Sequence, residues 1–132
     1  MMSNQLNGTF QITGWDENPY NENDDGSKQT NAKITQNYSG DIEGSSELQY
    51  LMSYSSNGSA IFVGLETLSC TINGKSGRFV IKHNGKFEAG VASSEFTIAP
   101  DSGTKEFVDI TGSGTFKSGE NGQANYTVEI NA

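Results

Sequence analysis

The sequence predicts an all-β fold: a single antiparallel up-and-down β-barrel of about eight strands, built from consecutive hairpins. Three observations carry this. Apolar residues recur at every second position along most of the chain, which is the strand period and not the helical one. Asn-Gly, a dipeptide whose residues both tolerate positive φ, occurs five times, at Asn7-Gly8, Asn57-Gly58, Asn73-Gly74, Asn84-Gly85 and Asn121-Gly122. No βαβ unit, internal repeat or domain boundary interrupts the pattern, so the 132 residues read as one domain, 1–132.

Strands are expected near 8–16, 31–39, 41–54, 59–71, 77–83, 86–99, 106–117 and 123–131. In the first, Phe10 and Ile12 alternate with Gln11 and Thr13; in the second, Ile34 and Tyr38 alternate with Thr35 and Asn37. Between them lies a polar, acidic insertion, residues 17–29. The third strand is the clearest. Ile42, Leu48, Tyr50, Met52 and Tyr54 share one face, against Glu43, Glu47 and Gln49 on the other, and a helix there would bury Ser45, Ser46 and Gln49. The run from Ala60 to Leu65 is apolar on both faces, so its outer face is expected to be covered. Phe79, Ile81 and His83 share the inner face of the fifth strand, which Asn84-Gly85 ends. Pro100-Asp101-Ser102-Gly103 makes a further reversal. Val108, Ile110, Gly112, Gly114 and Phe116 then oppose Phe107, and Ala124, Tyr126, Val128 and Ile130 form the last inner face. Gly64, Gly90, Gly112 and Gly114 fall inside expected strands, where glycine marks bulges or barrel corners.

Composition narrows the function. The net charge is −8, from 16 acidic and 8 basic residues, and no lysine or arginine cluster offsets it. Nucleic acid and anionic membrane are therefore excluded as expected partners. Cys70 is the only cysteine, so neither an internal disulfide nor a zinc framework can form. The N-terminus lacks a basic stretch followed by an apolar run, and nothing approaches the ~20 apolar residues of a membrane span, so a cytoplasmic location is expected.

Few residues carry candidate chemistry. Asn21, Asn23, Asp25 and Gly26 half-match a calcium loop, but the twelfth position is Ala32, not a bidentate glutamate, so no metal site is expected; a solvated loop is the simpler reading. Ser102-Gly103-Thr104 lacks the lysine of a phosphate loop, and no cofactor is expected. His83, the only histidine, should sit near one barrel mouth, beside the Asn84-Gly85 turn, either transferring a proton or held by a backbone carbonyl. Glu66 lies in the most apolar strand, in register with Phe62, Leu68 and Cys70. A buried carboxylate must be paired or neutralised, so Glu66 is either a perturbed group, a partner of Arg78 or a lysine, or an outward-facing residue. Cys70 with His83 and an acid is a very weak nucleophile pattern. Tyr38, Tyr50, Tyr54, Tyr126 and Trp15 can line a ligand cavity with polar tips or simply fill the core.

Four ordered stretches together resemble the bacterial domain-of-unknown-function 3224 family: Tyr38-Ser-Gly-Asp-Ile-Glu-Gly44; Gly64-Leu-Glu66; Gly77-Arg-Phe-Val-Ile-Lys-His83-Asn-Gly85; and Ser102-Gly-Thr-Lys-Glu106 followed by Gly112-Ser-Gly114. Gly8-Thr-Phe10 with Trp15 also fits, so the resemblance spans roughly residues 7–130. It implies a barrel like that of allene oxide cyclase, a relative of the calycins, and no assigned activity. It also implies polar roles at Glu43, Glu66, His83 and Glu106. Glu43 faces outward by alternation unless a bulge near Gly40 or Gly44 turns it inward.

Three functions follow. In the first, the barrel binds a small apolar molecule, with Tyr38, Tyr50, Tyr126, Trp15 and Glu43 as lining residues and Glu66 or His83 as polar handle. In the second, a cyclase or isomerase uses Glu66 and His83 as an acid–base pair. In the third, a filled barrel serves a structural or partner-binding role. The outward apolar positions around Phe62 allow a homo-oligomer interface or packing beneath the 17–29 loop. An open interior of some 300 Å³ separates the first two from the third.

Overall fold

The computed structural model describes residues 3–118 and 122–131. Eight antiparallel strands run in sequence order around a closed barrel. They are β1 (Ser3–Glu22), β2 (Lys28–Gly40), β3 (Ile42–Tyr54), β4 (Ala60–Ile72), β5 (Lys75–Glu88), β6 (Val91–Ile98), β7 (Thr111–Ser118) and β8 (Gln123–Asn131). Pairing of β1, from Ser3 to Gln11, with β8 closes the cylinder. Alternation does what the sequence expects in β3 and β4, where every second side chain from Leu48 to Met52 and from Glu66 to Ile72 is buried.

Four local expectations are corrected. First, residues 17–29 are mostly paired strand. β1 and β2 continue outward as a long hairpin, and only residues 23–27 form the turn. There Asp25 accepts hydrogen bonds from the amide and hydroxyl of Ser27, so the half-matched calcium loop spends its polar groups on the turn. Second, Asn84-Gly85 is not a turn. β5 runs through it, and the far end of the Phe62 ring packs against Gly85, where any Cβ would collide with it. The reversal falls at Ala89-Gly90, both with positive φ (52° and 79°), as a type I′ turn requires. Third, β7 begins at Thr111. The preceding residues make a one-turn 3₁₀ helix, Lys105–Phe107, which buries Phe107 against Phe79 and leaves Val108 exposed. Fourth, the outer face of β3–β4 is bare within this chain: Leu51, Ile61, Val63 and Leu65 are all exposed. Asn73-Gly74 does form the expected tight turn, with φ of 50° and 79°. Asn7-Gly8 lies inside β1, and the Asn121-Gly122 step falls partly outside the described residues.

These corrections give the barrel two different ends. At one, the β6–β7 connection folds inward. Its Thr104 and Ser102 hydroxyls accept the Arg78 and Val80 amides, Glu106 accepts the Ser76 amide, and Phe107 and Ile110 plug the core. The other end, where Ile12, Tyr54, Phe87 and Ala92 are only partly buried, is open.

Candidate functional site

Across the barrel ladder, Tyr50 on β3 pairs with Gly64 on β4, and Gly64 with His83 on β5. A Cβ on Gly64 would strike the Tyr50 ring, so glycine is what lets that ring approach the wall. One step toward the plugged end, Leu48 pairs with Glu66. Glu66 and His83 are 1% and 2% exposed. They meet at 2.6 Å between Oε1 and Nε2.

This pair is fully hydrogen-bonded. The Tyr38 hydroxyl donates to the other Glu66 oxygen at 2.6 Å. Ser94 Oγ donates to the Glu95 carbonyl and so receives the His83 Nδ1 proton, across 3.0 Å. The unit is a desolvated, mutually satisfied group in an apolar core, the only form in which such groups are tolerated. Burial, reinforced by the Glu66 charge, raises the Tyr38 hydroxyl well above the usual tyrosine range. Of the readings open for Glu66, pairing is correct, but with His83 and not with Arg78 or a lysine. His83 lies inside the barrel and not at its mouth, because β5 continues past it. Both of its nitrogens are occupied, so it does not activate Cys70, whose buried thiol is pushed up to about 12 by desolvation and by Glu66.

Above this layer the open end holds a cavity of about 260 Å³. Phe10, Phe62, Phe116, Met52 and Ala124 give it apolar walls. Tyr50 and Gln36 line it as well, and the Tyr50 hydroxyl and Gln36 Oε1 are buried without a hydrogen-bond partner. Trp15 and Tyr54 stand at its rim, Trp15 47% exposed. A register shift between Ile12 and Gly14 puts Trp15 on the cavity side, opposite buried Ile34. Behind the rim, Glu17 Oε2 accepts from Thr30 and Tyr54, and Oε1 from Trp15 Nε1. Partial burial pulls its carboxyl upward, but these bonds and the Lys28 charge outweigh that, and its pKa is lowered. Lys28 itself lies 5.0 Å from the Tyr54 ring centroid.

The sequence-predicted residues thus divide. Tyr50 and Trp15 line the cavity. Tyr38 serves the Glu66–His83 pair, and Tyr126 pins the β2–β3 turn, donating to the Ser39 carbonyl and accepting from the Ile42 amide, both at 2.9 Å. Glu43 faces solvent on β3, whose pairing with β4 runs without a bulge past Gly44. Gln36, Glu17 and Ser94 are the side chains at the candidate site that sequence reasoning missed. Gln36 had a signal, since it lies between Ile34 and Tyr38 on their buried face. Glu17 had none, because it fell in an expected loop.

The family model described as "Protein of unknown function (DUF3224)" matches residues 6–130. A solved structure from Shewanella oneidensis MR-1, a DUF3224 protein of unknown function, is similar at a TM-score of 0.84 and 24% identity, covering 98% of this chain and 97% of that one. At that identity the likeness speaks to fold. No curated protein matches the chain.

Proposed function

The chain belongs to the DUF3224 family of proteins of unknown function, and from its geometry we propose that the barrel binds a small, largely apolar molecule in the cavity at its open end. The carrying observation is the pairing of an apolar cavity with two unpartnered buried polar groups, Gln36 Oε1 and the Tyr50 hydroxyl. Buried polar atoms are nearly always satisfied, and exceptions on residues that line a cavity fit a ligand or water site. At about 260 Å³, the cavity falls just under the roughly 300 Å³ at which ligand sites ordinarily begin, so it suits a small ligand, of roughly nine groups the size of water at about 30 Å³ each.

Native mass spectrometry of protein purified from its own cells tests the proposal. The expected result is a bound small molecule, lost when Ala92→Phe fills the mouth. Repeated absence of an adduct, or one that survives the filled mouth, goes against the reading.

One observation favours a second reading, an acid–base enzyme. The Glu66–His83 pair lies one ring behind the cavity, with the Tyr50 ring edge-on to His83 at 5.5 Å. Proton transfer to a ligand would require Tyr50 to move aside. Unchanged His83 ring ¹⁵N resonances at ligand saturation would remove this reading.

A further inference from the structure

The cavity's polar equipment selects a class of ligand head group. This step rests on the proposed ligand-binding role of the open end. The Gln36 carboxamide and the Tyr50 hydroxyl each offer both a donor and an acceptor, and Gln36 Oε1 and the Tyr50 oxygen stand unpaired. No lysine or arginine is among the described lining residues. Lys28 lies over Tyr54 at the rim and is balanced by Glu17. Glu17 in turn keeps a full negative charge behind Trp15 and Tyr54. The whole chain carries −8.

An anionic head entering here would lose water, meet no counter-charge and face the field of Glu17. An apolar molecule with no head would leave Gln36 Oε1 and the Tyr50 hydroxyl without a partner. A neutral head that both donates and accepts would satisfy them. We infer that the cavity takes an apolar chain or ring bearing an uncharged donor–acceptor head, such as an alcohol or primary amide, and rejects the matching carboxylate.

A matched series tests this: octanol, octanamide, octanoate and octane, at pH 8, read by the fluorescence of Trp15, the only tryptophan in the chain. Octanol and octanamide are expected to bind at least about tenfold more tightly than octanoate and octane, the ratio expected from one satisfied buried polar pair. Gln36→Leu should erase most of the advantage over octane while leaving the circular dichroism and melting temperature near those of the parent. Gln36→Asn, which keeps the amide, should retain part of it. If octanoate binds as tightly as octanol, the head-group assignment falls and the cavity reading stands. If no member of the series binds, the cavity reading falls too. If octanol binds Gln36→Leu unchanged, the role of Gln36 falls.

Discussion

Glu66 is the residue whose replacement has the most calculable outcome. In Glu66→Leu, the Tyr38 hydroxyl and His83 Nε2 both lose a partner at 2.6 Å, inside a layer where Glu66 and His83 are 1% and 2% exposed. Each stranded buried group costs about 1–3 kcal/mol, and breaking a buried pair from one side about 3–5 kcal/mol in total. For 132 residues the unfolding entropy corresponds to about 3–4 °C per kcal/mol, so Glu66→Leu should lower Tm by roughly 10–18 °C. Glu66→Gln is the informative contrast. Its carbonyl can accept from Tyr38, and its amide can donate to His83 Nε2 once that nitrogen is unprotonated, so the loss should stay near 1 kcal/mol. Urea and thermal unfolding, followed by circular dichroism at pH 7.5, give both values. A Glu66→Leu protein within about 1 kcal/mol of the parent would refute the view of Glu66, His83 and Tyr38 as one interdependent unit. Equal losses in Leu and Gln would refute the hydrogen-bond argument.

Two further perturbations probe the walls and the buried hydroxyls. Gly85→Ala should destabilise by about 1–3 kcal/mol, because its Cβ meets the Phe62 ring and the Ser93 carbonyl, and Phe62→Leu in the same chain should recover part of the loss; no effect from the single change would contradict the packing. Burial raises Tyr50 well above its ordinary value, and burial with the Glu66 charge does the same for Tyr38. A group raised in the fold stabilises it below its unfolded pKa, about 10 for tyrosine, and that contribution fades as pH climbs above it. Cys70, raised to about 12, acts in the same direction. The urea midpoint should therefore fall steeply above about pH 10, and a midpoint constant to pH 11 would count against the buried hydroxyls.

Much of the fold was legible because its cause is local. The alternation in β3 and β4 is a face-burial pattern that any reader of period two recovers. The misplaced elements had non-local causes. Asn84-Gly85 carries the same hairpin signal as the other Asn-Gly steps, yet Gly85 lies within β5, where the Phe62 ring from the neighbouring strand leaves no room for a Cβ. Ala89-Gly90 makes the turn with a residue that advertises nothing. Residues 17–22 look like a loop because they are polar, but a hairpin rising above the barrel has little core to face. At the site, Glu66 and His83 stood out as polar residues on apolar faces, and they do meet. That they lie behind the cavity and not in it depends on where β5 ends. Trp15 reaches the mouth only through a register shift in β1, which alternation alone cannot reveal.

The central claim, that the open end is a ligand site, is tested most directly by a ¹H–¹⁵N correlation titration of the whole chain with octanol. The account predicts saturable shifts of the Trp15 indole N–H and the Gln36 side-chain amide, with those of Met52, Ala92 and Ala124, all of which line the cavity. Saturable shifts confined to the bare outer face at Leu51, Ile61, Val63 and Leu65, with the mouth resonances unmoved, would contradict it.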